Sequence, residues 1–204
     1  MPGKLTVVGF GPGSKGDMTL RAVEAIENAD IVTGFTTYIR ILKEFFPDKE
    51  YKSNGMTKEV DRCRMAVEDA CKGSDVVMVS SGDSGIYGMA AICYQVADEM
   101  DADIEIDVVP GITAASSAAA VLGAPLTHDT ALISLSDRLT PWDLIAKRLD
   151  AAASSDTSSH CITPGATDVR NSWKKRLRSW ASTNRPRRSS VSSGISDARI
   201  RAAG

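Results

Sequence analysis

Between Asp75 and Ser80 the chain reads DVVMVS, apolar at consecutive positions rather than at every second one. A strand of that kind has to be covered on both faces, which is the condition inside a parallel sheet sandwiched by helices. Other short β-branched runs share the chain with amphipathic stretches. Leu5–Val8, Asp30–Thr33 and Ile104–Val109 read as further strands. Thr19–Asn28, Thr37–Phe46 (ended by Pro47), Val60–Cys71 (stopped by Gly73), Ile86–Met100 and the Ala/Ser-rich Thr113–Leu122 read as helices. This alternation predicts an α/β fold, a parallel sheet with helices on both faces, over residues 1–123.

Ala124–Asp129 reads as a connector, Thr130–Leu135 as the strand opening a second α/β unit, and Thr140-Pro141 as a helix start with Thr at the N-cap and Pro at the first helical position. The apolar pattern stops at Ser154-Ser155-Asp156, so the second unit, 124–156, reads as incomplete. From Thr157 the texture changes. Residues 157–204 hold ten serines, 10 basic and 2 acidic residues, a net of +8, which leaves 14 basic and 24 acidic residues, a net of −10, in 1–156. Such a stretch reads as disorder or a polybasic arm, with Trp173–Trp180 as its one short helical candidate.

The start, Met1-Pro2-Gly3-Lys4, passes into a strand without a signal-peptide pattern, and no apolar run reaches the roughly 18 residues of a membrane span. A cytoplasmic protein without a membrane partner is expected. Cys63, Cys71, Cys93 and Cys161 lie far apart, with no CxxC pair, which argues against a zinc site or a disulfide framework. No metal is expected.

In open α/β sheets ligands bind outside the carboxyl ends of the strands. Three loops sit at such ends: Gly9-Phe10-Gly11-Pro12-Gly13-Ser14, Ser81-Gly82-Asp83-Ser84-Gly85-Ile86-Tyr87-Gly88, and Pro110-Gly111-Ile112-Thr113-Ala114-Ala115. The first is a poor dinucleotide loop. Its spacing is GxGxG, and Pro12 removes a backbone N–H that a pyrophosphate would use. A tight structural turn and a wall for a larger ligand both remain open for it. Asp83 can accept from a ligand or cap a helix beginning near Ile86. The third loop puts small residues at a helix N-terminus, suited to backbone contact with a ligand or to tight packing. His128 and His160 are the only histidines, and no GxSxG, HExxH or Walker A motif occurs. No catalytic residue can be named. Loops of Gly, Ala, Ser and Thr suit a reaction that needs alignment and exclusion of water more than a strong acid or base.

Taken in order, GFGPGS with Met18-Thr19, ADIVTGF, VSSGDSGIYGMA and VVPGITAASSAAAVLGAPLTHD resemble the tetrapyrrole methylases over roughly residues 4–153. Gly34-Phe35-Thr36-Thr37-Tyr38, Gly55-Met56 with Glu59 and Arg62, and Ser80–Ala90 point to the branch acting on precorrin-3B or cobalt-precorrin-3 at ring carbon 17. The resemblance implies two α/β domains, S-adenosyl-L-methionine as cofactor, a small-molecule tetrapyrrole as substrate, a role in cobalamin biosynthesis, and a homodimer. It implies that Gly82, Asp83, Gly85, Ile86, Tyr87, Thr113 and Ala114 bind the methyl donor. It implies that Gly11, Pro12, Gly13 and Met56 face the tetrapyrrole.

The resemblance ends at the tail. The family's second domain continues with a strand of the type DFVIxLYNPxS, whereas Asp156 here is followed by TSSHCITPGATDVRNSW. Moving the reading frame back by one base makes His160-Cys161 encode Leu and lets the next three steps encode Tyr, Asn and Pro. Trp173-Lys174 then gives Glu and Trp180-Ala181 gives Gly, both fitting the family. The tail therefore reads as truncated or frame-shifted, with impaired activity expected. Three other readings stand beside this one: a different tetrapyrrole or diphthine-type methylase of the same fold, a dinucleotide-dependent oxidoreductase, and a nucleic-acid binder using the basic tail with Trp173 and Trp180. The last is disfavoured, so nucleic acid is not an expected partner.

Overall fold

The computed structural model describes residues 1–123, 126–137, 140–155, 158–162, 178–179, 182 and 189–191. It divides into two compact units, Met1–Thr113 and Ala114–Gly204.

The first unit holds strands β1 (Lys4–Gly9), β2 (Ile31–Phe35), β3 (Glu50–Asn54), β4 (Val76–Ser80) and β5 (Glu105–Val109) in one sheet of order β3-β2-β4-β1-β5. All the pairings are parallel. Val76–Ser80 of the run DVVMVS becomes β4, buried at every position and paired on both sides. Its alternate side chains serve two cores. Val76 and Met78 pack with Leu5, Val7, Cys63, Val67, Cys93 and Val96 beneath helices α3 (Glu59–Cys71) and α4 (Ala90–Glu99). Val77 and Val79 pack with Val8, Phe10, Ile26, Ile39 and Leu42 beneath α1 (Leu20–Asn28) and α2 (Thr36–Lys43). Period-two alternation of the pleat supplies both layers from one strand. Each fully buried aliphatic side chain contributes about 1.5–3 kcal/mol.

Chain order runs from β1 leftward through β2 to β3, and from β4 rightward to β5. With right-handed crossovers, α1 and α2 fall on one face and α3 and α4 on the other. β1 and β4 are neighbours whose connections leave to opposite faces, and a ligand crevice opens at such a point.

Three local expectations differ from the structure. β3 goes unread in the sequence because EYKSN is a polar edge strand with no apolar alternation. Helix α4 begins at Ala90, not Ile86. The intervening residues are held by Asp83 and Ser84, and Gly88 lies so close to the Ser84 and Asp83 carbonyls that a Cβ there would overlap them. Pro141 is the N-cap (φ −56, ψ 142) of the second unit's helix rather than its first helical residue.

That second unit contains α5 (Ala114–Val121), β6 (Thr130–Ser134), α6 (Trp142–Ser154), β7 (Ser158–Ile162) and β8 (Ser189–Val191). The strands form a parallel sheet of order β6-β7-β8. Ile133, Leu135, Ile145, Leu149 and Ala152 make its core, with Ala131 and Trp142 against it. The sequence reading divides the chain at 123/124; the compact units divide at 113/114, which assigns α5 to the second. It also ends the pattern at Asp156, yet a strand follows at once. The string SSHCI has no apolar alternation, so its pairing rests on backbone hydrogen bonds that periodicity does not report. Trp173, Trp180 and most of 157–204 lie outside the described residues.

Candidate functional site

The three loops that follow β1, β4 and β5 emerge side by side, because those strands are neighbours in the order β4-β1-β5. They are joined backbone to backbone. Phe10 donates its N–H to the Ser80 carbonyl at 3.0 Å. Gly11 N–H donates to Gly82 O at 3.1 Å, and Gly82 N–H returns the bond to Gly11 O at 2.9 Å. Both glycines stand at positive φ, 74° and 66°, which L side chains rarely adopt. Gly9 and Gly111 are closer still. A Cβ on Gly9 would lie 2.7 Å from Gly82 O and 2.8 Å from the Gly111 nitrogen, and one on Gly111 would overlap the Gly82 and Gly9 carbonyls.

Two polar side chains lock the arrangement. Asp83 Oδ1 accepts from the N–H groups of Gly85 (2.8 Å) and Ile86 (3.1 Å), and its Oδ2 accepts from Gly111 N–H at 3.0 Å. The carboxylate therefore ties the second loop to the third and caps a turn rather than a helix. Ser84, buried, donates from Oγ toward the carbonyls of Val7 and Val109, each at 3.3 Å.

The expected donor residues fall into an exposed and a buried set. Gly85, Ile86 and Tyr87 are exposed, with Tyr87 at φ 54°, while Gly82 is buried. Thr113 closes the first unit and Ala114 is the first residue of α5 in the second. Of the residues expected at the tetrapyrrole, Gly11 and Gly13 are buried and Pro12 is half-buried. Met56 follows the edge strand β3, with β2 and β4 standing between it and β1 in the sheet. The structure thus brings Gly11, Gly82, Asp83, Gly85 and Ile86 into one bonded group and leaves Met56 apart from it.

Several residues at this end of the sheet are not singled out by sequence reasoning as site residues. Ser81 Oγ and Tyr38 Oη are 2.8 Å apart. The Tyr38 ring meets Phe10 and Phe35 edge-on, at centroid distances of 5.4 and 5.3 Å. Arg62 is 3% exposed. Its Nε donates to Asn54 Oδ1 at 2.9 Å and one Nη to Gly55 O at 3.0 Å, and its guanidinium stands 5.7 Å from the Phe35 ring centroid. Burial lowers its pKa and the charge of Glu59 opposes the shift. Tyr38–Ser81, Tyr38–Phe10 and Arg62–Phe35 join residues far apart in the chain, whereas Tyr38–Phe35 and Arg62–Gly55 lie within the stretches quoted above for the resemblance, which assigned these side chains no role.

The electrostatics of the loops are simple. In 9–14, 81–89 and 110–113 the only ionisable group that carries charge at neutral pH is Asp83. No lysine or arginine stands in any of them, so the loops offer no cation to a pyrophosphate. A site of backbone amides, small side chains and one carboxylate fits a ligand bearing positive charge.

A family model described as "Tetrapyrrole (Corrin/Porphyrin) Methylases" matches residues 4–185. The chain belongs to the tetrapyrrole methylase family. A cobalt-factor III methyltransferase of Priestia megaterium is 48% identical over 160 residues, covering 76% of this chain and 30% of that protein. A probable cobalt-factor III C(17)-methyltransferase of Salmonella typhimurium is 47% identical over 152 residues, covering 74% of this chain and 63% of the relative. Among solved structures, the methyltransferase CobJ superposes with a TM-score of 0.78 at 33% identity, covering 89% of this chain and 76% of that one. This tetrapyrrole methylase chain spans less than two thirds of the length of these two curated relatives. Tetrapyrrole methylases generally use S-adenosylmethionine as methyl donor. Among the described residues, no helix is long and apolar enough to cross a membrane.

Proposed function

We propose that this protein binds S-adenosyl-L-methionine on the loops after β1, β4 and β5 and methylates a corrin precursor of the precorrin-3B or cobalt-precorrin-3 type at ring carbon 17. One observation carries the reading: three loops locked together through glycine backbones and Asp83, with that carboxylate as their only charge. A sulfonium cation is compatible with such loops, and their GxGxG spacing with Pro12 fits a dinucleotide pyrophosphate poorly. Similarity to the two cobalt-factor III methyltransferases supports the substrate class.

In this reading Gly82, Asp83, Gly85, Ile86 and Tyr87 hold the donor, with Thr113 and Ala114 contributing from the third loop. Gly11, Pro12, Gly13 and Met56 face the tetrapyrrole. When bound, the donor supplies an electrophilic methyl group. The chain's own residues orient and exclude water: Asp83 keeps the second and third loops in register, and Ser84 anchors the second loop to the ends of β1 and β5. The free thiols of Cys63, Cys71 and Cys93 suit a reducing compartment and support a cytoplasmic location. Pairing with a second copy belongs to the same reading.

Calorimetric titration of the full chain with S-adenosyl-L-methionine, and separately with NAD, tests it. Binding of the sulfonium donor alone is expected. Binding of NAD in its place would overturn the reading and favour the oxidoreductase.

We also infer that residues from about Thr157 are translated out of frame. The charge swing, the serine clusters and a neighbouring frame that requires Leu and permits Tyr-Asn-Pro after it support this. The strand slot of β7 is then filled by SSHCI where the family expects an apolar strand. Sequencing the gene across codons 150–204 tests it. A neighbouring frame open through a full second domain is expected, and a stop codon soon after Leu-Tyr-Asn-Pro would sink the idea.

A further inference from the structure

The Tyr38–Ser81 contact is a pair of hydroxyls bonded to each other at 2.8 Å. Two hydroxyls carry two protons. One hydrogen bond between them consumes one proton, whichever residue donates, and leaves the other O–H seeking an acceptor. Among the described residues neither hydroxyl makes a second hydrogen bond. Both residues are half-buried, so neither hydroxyl is fully solvated and neither is sealed in the core. Buried donors find acceptors in folded proteins, and a half-buried one at a strand end can donate to water or, in its place, to a ligand oxygen.

The pair is held rigidly and in a definite place. The Tyr38 ring is clamped between Phe10 and Phe35, with interplanar angles of 68° and 82°. Phe10 precedes Gly11 in the first loop and is fully buried. Ser81 precedes Gly82, which is bonded to Gly11 in both directions. The spare proton thus stands beside the glycine bridge, on the side of α2 and the first loop, and away in sequence from exposed Gly85, Ile86 and Tyr87. Gly11 of that bridge belongs to the residues assigned above to the tetrapyrrole and Gly82 to those assigned to the donor; Tyr38 reaches the first loop through Phe10 and the second through Ser81.

We propose that the Tyr38–Ser81 hydroxyl pair donates a hydrogen bond to a peripheral carboxylate of the tetrapyrrole and so fixes the macrocycle's orientation in the site. The proposal rests on the methylase reading. It adds a substrate-binding contact to that reading. A hydroxyl donating to a carboxylate forms a charge-assisted bond, stronger than a neutral one. The ring contacts restrict Tyr38 to one orientation before the substrate arrives, so little rotamer freedom is lost on binding. Ser81 acts as the partner that turns the phenolic proton outward.

The test uses the full chain and measures two dissociation constants, one for a cobalt-factor III-type precursor by absorbance titration and one for S-adenosyl-L-methionine by calorimetry. Tyr38→Phe keeps the ring and removes the hydroxyl. It is expected to weaken precursor binding roughly tenfold and to leave donor binding unchanged. Ser81→Ala is expected to have a smaller effect, and the double variant to match Tyr38→Phe alone, since both act through one contact. Unchanged precursor binding in Tyr38→Phe would overturn the proposal, and so would parallel loss of both ligands, the mark of a merely structural role. Should Tyr38→Phe fail to fold, the same pair of constants for Ser81→Ala decides it. If the unaltered chain binds donor but no precursor, the tetrapyrrole reading itself falls, an outcome distinct from failure of the hydroxyl contact alone.

Discussion

Gly11 and Gly82 form an antiparallel bridge at the ends of two parallel strands. Between parallel strands such a bridge requires one loop to turn back relative to the other, and positive φ at both glycines allows the turn. Every contact that fuses these loops with the third is made by backbone or by a short side chain.

Gly111→Ala is therefore expected to be costly. The new Cβ meets the carbonyl oxygens of Gly82 and Gly9, backbone atoms that cannot swing aside. A loss of about 2 kcal/mol or more is expected in chemical denaturation. Gly55→Ala is the control, because nothing lies within 4 Å of its added Cβ, and its stability is expected within about 0.5 kcal/mol of the parent.

Asp83→Asn separates the two jobs of that side chain. An amide oxygen can still accept from Gly85 and Ile86, but the amide nitrogen then faces the Gly111 N–H, donor against donor. The expected cost is about 1–3 kcal/mol. Hydrogen exchange at the Gly111 amide should accelerate, while the amides of Gly85 and Ile86 keep their protection. Uniform exchange across all three would show that Asp83 does not tie the loops together.

Arg62 is buried without a carboxylate within salt-bridge distance among the described residues, and its bonds go to Asn54, Gly55 and the sulfur of Met89. Arg62→Ala leaves those acceptors unpaired and opens a cavity beside Phe35. A loss of about 2–4 kcal/mol is expected. Arg62→Met fills more of the space and should lose less. If Thermal melts rank the two variants the other way round, packing is not what Arg62 supplies.

Cys63 and Cys93 lie 3.3 Å apart, sulfur to sulfur, in the core between α3 and α4, whereas Cys71 is exposed. Hydrogen bonding to Cys63, together with burial, holds Cys93 well above the usual thiol range. Peptide mapping after brief maleimide treatment of the native chain should find Cys71 labelled and Cys63 and Cys93 protected until denaturant is added. Early labelling of the buried pair would mean that α3 and α4 open readily.

The first unit was readable where side chains repeat with the period of their element. DVVMVS announced a doubly covered strand, and the Gly-rich stretches announced the loops that the structure bonds together at the strand ends. β3 escaped because EYKSN pairs only along one edge and buries little. The start of α4 was misplaced because Asp83 holds the amides of Gly85 and Ile86 in a local turn and Ser84 is tied across to Val109, so the helix begins only at Ala90. Tyr38 and Ser81 are 43 residues apart, so their shared proton becomes visible only once the sheet order brings α2 beside the second loop. In the same way, SSHCI gave no signal for β7, because what it contributes is main-chain pairing.

The joining of loops through glycine backbones has a consequence for descent with change. Pro12, Ile86 and Tyr87 can be exchanged for other side chains without disturbing the amide-to-carbonyl bonds beneath them. Ligand preference and scaffold geometry are thereby written in different atoms. A lineage can shift from one macrocycle to another by altering what projects from the loops, while the glycines stay where they are as a common chassis.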